Sequence, residues 1–181
     1  KVSKEEKYEI EKRSASLIAT LADGSFRDAL SILQKIIHSS ADKKLSHAEV
    51  EKVLGAPKES LVLQVLEGIA EQNTEKGIGA VRKAREENAD MQVFLKMILR
   101  SLRFVLLLRF SKDMKDLIID ETGEEEFEKL SELANPSTDG AKKLNSKTLL
   151  VFLEAYSRQT YASIPELPIE LAIIESCGEE N

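Results

Sequence analysis

The chain has 181 residues, of which 42% are hydrophobic and 32% charged, and its formal net charge is −6. This length allows one well-packed domain or two small ones, and the acidic balance argues against a surface that wraps nucleic acid, which needs clustered Lys and Arg. Few aromatic residues and abundant Leu, Glu, Lys and Ala predict an all-α fold.

The first predicted helix runs from about Lys4 to Leu21, because Leu17, Ile18 and Leu21 form an apolar stripe before a break at Asp23-Gly24. The first ten residues are charged and lack the apolar core of a signal peptide. The chain also starts inside this helix. We therefore expect a piece of a longer, cytoplasmic protein.

The second predicted helix places a cation at an unusual position. Ser25 is a candidate N-cap and Asp28, three residues later, its reciprocal partner in a capping box, so Arg27 lies in the first turn. A cation there opposes the helix dipole, unless guanidinium and helix N-terminus together face an anion such as phosphate. An ordinary exposed Arg remains the alternative, since the dipole effect is small. The apolar face of this helix is predicted to contain Phe26, Ala29, Leu30, Leu33, Ile36 and Ile37.

A third helix is predicted to begin after Ser46, with Glu49 completing a capping box, and to end at Gly55-Ala56-Pro57. The helix-stopping Gly and Pro mark a domain boundary. We predict a first domain over residues 1–54 and a second over residues 55–181.

The residue pattern of the second domain predicts consecutive helices. Apolar spacing predicts one helix over about 61–70 and another over about 74–88, with Asn73 as a cap. Asp90 is predicted to cap a more apolar helix over 91–110. Four basic residues interrupt this last segment, which argues against a membrane span.

Three of these basic residues, Lys96, Arg100 and Arg103, recur at helical spacing and form one stripe. Two interpretations remain open. Their aliphatic stems can cover the core while their charged ends pair with acidic neighbours, or the stripe can form a subunit interface.

The remaining segments are predicted in less detail. An acidic helix begins near Gly123, a loop covers 135–140, and Asn145 or Ser146 caps a further helix. Pro168 suits the first turn of the last helix, where Leu171, Ala172 and Ile174 are predicted to form the buried edge.

Two segments carry a resemblance to a known family. Gly24-Ser25-Phe26-Arg27-Asp28-Ala29-Leu30-Ser31 resembles the second-sensor segment of the gamma/tau subunit of bacterial DNA polymerase III, an AAA+ clamp-loader subunit. The run from Ser163 to Ala172 is similar to the Pro-x-x-Pro-x-Glu signature of its last collar helix. The resemblance implies a partial AAA+ lid over residues 1–54 and a helical collar over 55–181.

The resemblance also implies roles. Arg27 would be the nucleotide-sensing residue, with Gly24, Ser25 and Asp28 supporting the motif, and ATP and Mg²⁺ would be bound mostly by a missing domain of an AAA+ ATPase subunit. The implied partners are further gamma/tau copies and the delta, delta prime and psi subunits. DNA and the sliding clamp would be contacted only through missing regions, and no membrane is implied.

Several absences limit what this chain does alone. The sequence has no Gly-x-x-x-x-Gly-Lys-[Ser/Thr] phosphate loop, so we expect no ATP hydrolysis and no bound cofactor without the missing domain. Its lone Cys177 excludes a multi-cysteine metal site, and we predict no catalytic residue and no metal ligand. The alternatives are a stand-alone helical interaction module, with Arg27 a surface charge, or another AAA+ clamp-loader subunit.

Overall fold

The structure is a computed structural model that describes residues 8–40 and 43–178, and it confirms the all-α prediction. One short strand pair occurs within these residues, in which Glu9–Ile10 (β1) runs parallel to Lys44–Leu45 (β2). The chain divides into two compact units, the first ending at Ala56 and the second beginning at Pro57. This division lies two residues beyond the boundary predicted after residue 54.

The first unit contains three helices, α1 (Lys12–Leu21), α2 (Phe26–Ser39) and α3 (His47–Leu54). The predicted start of α1 at Lys4 is wrong for the part of that prediction that is described, because β1 is extended and paired with β2. Residues 4–7 lie outside the described residues.

The core of the first unit is small. Its buried apolar side chains come from α1, α2, β2 and α3, and they include Leu17, Ile36, Leu45 and Val50. The predicted apolar face of α2 is only partly buried: Ile36 is the one fully buried residue of the helix, and Phe26 is 72% exposed. The prediction therefore fails at Phe26, whose side chain stays exposed in the first turn of α2.

The ends of α3 form as local chemistry predicts. The Ser46 hydroxyl accepts a hydrogen bond from the Glu49 amide, and the Glu49 carboxylate accepts one from the Ser46 amide. Gly55 ends the helix in the left-handed region at φ 62°, which glycine adopts without strain. Both the predicted capping box and the predicted stop are confirmed.

The second unit is a packed array of helices joined by short turns. Its elements are α4 (Glu59–Ala70), α5 (Thr74–Glu86), α6 (Met91–Phe110), a 3-10 turn (Lys112–Met114), α7 (Lys115–Thr122), α8 (Glu124–Ala134), α9 (Asp139–Lys143), α10 (Ser146–Gln159) and α11 (Leu167–Cys177). The predicted caps Asn73, Asp90 and Asn145 each accept hydrogen bonds from first-turn amides. The predicted loop over 135–140 is too long, because Thr138 caps α9, which begins at Asp139.

The core of the second unit centres on α6, which packs against α4, α8 and α10. Its buried side chains include Phe94 and Phe104. None of the helices among the described residues is long and apolar enough to cross a membrane. Helices α4 and α5 approach closely at Gly68, where a Cβ atom would lie 2.8 Å from the backbone nitrogen of Gly77. A larger residue at Gly68 would separate these helices, whereas a Cβ atom on Gly77 would lie 2.8 Å from the Ile173 side chain of α11.

The buried face of α11 differs from the predicted one. Pro168 lies in the first turn and Ala172 is buried, as predicted, but Leu171 and Ile174 are 51% and 49% exposed. The buried side chains on α11 are Pro168, Ile169, Ala172, Ile173 and Cys177. Because α11 is apolar on nearly every side, its residue spacing could not identify the face that packs against α4, α5 and α10.

Candidate functional site

The chain enters α2 through two consecutive residues in the left-handed region, Asp23 at φ 50° and Gly24 at φ 77°. A Cβ atom on Gly24 would meet no atom within 4 Å, so backbone conformation rather than space favours glycine here. This turn brings the amide of Ser25 to within 2.8 Å of the Ala22 carbonyl, to which it donates. The geometry of the turn therefore fixes where α2 begins.

Ser25 caps α2, but the predicted reciprocal partner is wrong. The Ser25 hydroxyl accepts a hydrogen bond from the Asp28 amide at 3.2 Å. The Asp28 carboxylate does not return the bond, because the Ser25 amide already donates to Ala22. Instead, an Asp28 carboxylate oxygen lies 3.7 Å from the Nε atom of Arg27.

The side chain of Arg27 is 91% exposed in the first turn of α2, as its position in the sequence predicted. Its ion pair with Asp28 is long and solvated, so it contributes little to stability. First-turn amides and an exposed guanidinium together attract an anion, since both supply hydrogen-bond donors and positive charge. The start of α2 therefore presents the donors and the positive charge that a phosphate contact requires.

The basic stripe lies on one side of α6, but its members differ in their surroundings. The half-buried Arg100 donates to the Glu121 carbonyl at 2.8 Å, and its guanidinium lies 5.0 Å from the Phe104 ring. The Lys96 ammonium lies 5.8 Å from the Tyr156 ring of α10. Arg103 is exposed, with its guanidinium 5.8 Å from the Phe104 ring. Lys96 and Arg100 thus make contacts within the second unit, whereas Arg103 projects outward.

Sequence reasoning missed an exposed apolar surface on α11. Leu167, Leu171 and Ile174 follow helical spacing along its outer side, and Tyr161 and Ile164 are exposed just before the helix. An open groove of about 360 Å³ lies between α10 and α11. The signal in the sequence was a last helix with apolar residues on all sides, which is more than one buried face needs.

The described residues contain no group of three His, Cys, Asp or Glu side chains that could hold a metal ion. The thiol of Cys177 is buried at the end of α11, and burial raises its pKa, which makes it a poor nucleophile at neutral pH.

Comparison with known proteins matches both units to one group. Residues 1–42 match the ATPase lid domain of a DNA polymerase III clamp loader subunit, and residues 45–178 match domain III of the DNA polymerase III subunits gamma and tau. The DNA polymerase III subunit tau of Salmonella typhimurium is 27% identical over 149 residues, which cover 81% of this chain and 22% of that protein. The subunit tau of Escherichia coli is 29% identical over 107 residues, which cover 59% of this chain and 16% of that protein.

A solved structure, the Bacillus subtilis DNA clamp loader delta protein (YqeN), has a TM-score of 0.48 and 16% identity to this chain. The match covers 97% of this chain and 53% of that one. The chain spans about a fifth of the length of these two tau relatives.

Proposed function

The chain belongs to the gamma and tau family of DNA polymerase III clamp-loader subunits, and from that premise we propose that its first unit senses ATP while its second unit assembles the loader. Membership of this family is the reason to prefer this function over the stand-alone interaction module and over a different AAA+ clamp-loader subunit. In this proposal the parent protein is an AAA+ ATPase subunit of the DNA polymerase III holoenzyme, which loads the sliding clamp during DNA replication.

The proposed sensor is Arg27, acting on ATP that a preceding domain of the parent protein binds together with Mg²⁺. The exposed guanidinium fits this role, because it stands beside the amides of an intact first turn. When bound, ATP supplies the triphosphate charge that this end of α2 can recognise. Gly24 and Ser25 fix the start of the helix and therefore the direction in which Arg27 projects.

Sensing would follow from differential affinity. If Arg27 contacts the nucleotide phosphates in only one orientation of the first unit, bound ATP favours that orientation by the free energy of the contact. Charge-assisted hydrogen bonds from Arg to phosphate are among the stronger polar contacts, and the guanidinium fork also fixes their direction. The nucleotide state would thereby set the orientation of the first unit within the loader.

The second unit is proposed to hold subunits together. Its support is the exposed apolar surface of α11 beside a well-packed core, a combination typical of an interaction site. The proposed partners are further gamma/tau copies and the delta, delta prime and psi subunits. Contacts with DNA and the sliding clamp are assigned to other regions of the parent protein.

The observation that carries this proposal is the 91% exposed side chain of Arg27 on a capped helix start. The test is R27A in the full-length parent protein, with K35A, an exposed cation farther along α2, as the matched control. We expect R27A to slow ATP-dependent clamp loading at least about tenfold while subunits still co-elute. Equal clamp loading by R27A and wild type would contradict the sensing role.

A further inference from the structure

The phenylalanines of the chain have very different surroundings. Three of them are fully buried in the core of the second unit, whereas Phe26 and Phe110 are 72% and 80% exposed. An exposed phenylalanine forgoes the stabilisation that burial of its ring would give. Phe26 differs from Phe110 in its neighbour, because the residue that follows it is the proposed sensor Arg27.

The first turn of α2 directs the side chains of Phe26 and Arg27 toward one region. They are the first and second residues of the helix, after the cap Ser25. In a helix every Cα–Cβ bond tilts toward the N-terminus, so first-turn side chains lean over the start of the helix. Consecutive side chains diverge around the helix axis, although their Cα atoms are only about 3.8 Å apart. The ring and the guanidinium therefore flank the space before α2 from two directions.

The Phe26 ring is not engaged by a local capping motif. In a hydrophobic staple, the residue before the N-cap packs against the helix, and here that residue is Gly24, which has no side chain. No cation–ring contact found in residues 8–40 and 43–178 involves Phe26. The ring is therefore available to a ligand at this end of α2.

We propose that Phe26 stacks on the adenine ring of the ATP whose phosphates Arg27 is proposed to contact. The inference rests on the proposed sensing function, and it adds a residue that recognises the base. A nucleoside triphosphate carries its negative charge at one end and a flat aromatic ring at the other. Phe26 and Arg27 offer the complementary pair of groups, an exposed apolar ring beside an exposed cation.

Stacking would favour ATP over a bare polyphosphate. A nucleobase stacked on an aromatic side chain gains affinity by about fivefold or more. Such a contact recognises the flat face of the base and not its hydrogen-bonding edge. Loss of the ring should therefore weaken the binding of the nucleoside part of ATP and leave the binding of its phosphates unchanged.

The test uses ATP and inorganic tripolyphosphate as competitors of a fluorescent ATP analogue bound to the full-length parent protein. We expect F26A to weaken ATP binding at least about fivefold and to leave the affinity for tripolyphosphate unchanged. R27A should weaken the binding of both competitors, because both contain the phosphates that Arg27 would contact. The two competitors thus separate a contact with the base from a contact with the phosphates.

Two further variants serve as controls. F110A removes a comparably exposed ring from α6 and should bind ATP as wild type does. F26Y keeps an aromatic ring at the start of α2 and should also retain wild-type affinity. Because the side chain of Phe26 is mostly exposed, we expect F26A to fold, and circular dichroism of every variant checks this.

Each contrary result has a defined meaning. Wild-type ATP affinity in F26A, together with weakened binding in R27A, overturns the stacking contact and leaves the sensing role intact. Equal losses of ATP and tripolyphosphate affinity in F26A also overturn the stacking contact, because the ring would then act on the protein and not on the base. Weakened binding of ATP alone in F26A, with wild-type binding in R27A, supports the stacking contact and overturns the sensing role. Wild-type affinity in both variants overturns the two proposals together.

Discussion

The two units of this chain bury their helices to very different extents. In the first unit, α2 fully buries only Ile36 among its fourteen residues, and its first turn, which carries Arg27, is open to solvent. In the second unit, α6 buries nine residues and packs against helices on several sides. The proposed sensor therefore lies on a lightly packed helix of the first unit. The proposed assembly surface belongs to the second unit, whose central helix α6 is densely packed.

The largest expected effect tests the dense packing of the second unit. Phe152 is fully buried on α10, so F152A should lower the free energy of unfolding by about 3–5 kcal/mol. Urea denaturation measures this loss, and hydrogen exchange resolved by helix should place it in the second unit. L150A on the same helix is the matched control, because Leu150 is 63% exposed. Similar losses for the two variants would mean that α10 does not pack as described.

The next effect tests the close approach of α4 and α5 in the second unit. A Cβ atom on Gly68 would lie 2.8 Å from the Gly77 nitrogen and 3.1 Å from the Asn73 oxygen, both backbone atoms that cannot rotate away. We expect G68A to cost about 1–3 kcal/mol of stability.

The control for this change is G79A on α5, where a Cβ atom would meet nothing within 4 Å. Replacing glycine by alanine inside a helix should stabilise the chain by about 0.5–1 kcal/mol. The two urea midpoints should therefore move in opposite directions. A stabilising G68A would show that α4 and α5 do not approach as closely as the structure indicates.

A smaller effect concerns the ion pairs that join α4 to α5. The Lys76 ammonium lies 2.7 Å from a Glu67 carboxylate oxygen and 2.9 Å from one of Glu71, and the hydrogen bond to Glu67 is the main reason that its pKa is raised above 10.5. A raised pKa means that this stabilisation is complete below the unfolded-state pKa and is lost as pH rises through the folded-state value.

We expect K76M to cost at most about 1 kcal/mol at neutral pH, since the pairs are partly exposed. The stability difference between wild type and K76M should narrow as pH rises above 10.5. Thermal denaturation across this pH range measures the stability difference. A difference that widens with rising pH would contradict a stabilising ion pair at Lys76.

Local sequence chemistry accounts for much of the fold and for the position of the candidate sensor. Caps at Ser46, Asp90 and Asn145 were predictable because a short polar side chain reaches first-turn amides within a few residues. The same local logic placed Arg27 in the first turn of α2. Features of this kind depend on neighbours in sequence, which the amino-acid order states directly.

The features that sequence reasoning missed depend on distant partners. β1 forms because Ile10 pairs with Leu45, a contact across the whole of α1 and α2. Asp28 does not complete the capping box because the preceding turn directs the Ser25 amide to Ala22. The buried side of α11 is chosen by contacts such as that of Ile173 with Gly77, where a Cβ atom would lie 2.8 Å from an Ile173 methyl carbon. The exposed α11 face follows from that choice, so it could not be identified beforehand.

The most direct test of the proposed nucleotide contact measures the ATP affinity of the full-length parent protein with and without the Arg27 guanidinium. A fluorescent ATP analogue titrated into wild type, R27A and K35A reports binding without requiring clamp or DNA. We expect an affinity about tenfold weaker for R27A and unchanged for K35A, because Arg27 lies at the helix start and Lys35 does not. Equal affinity for all three proteins would contradict the claim that this exposed cation faces a nucleotide.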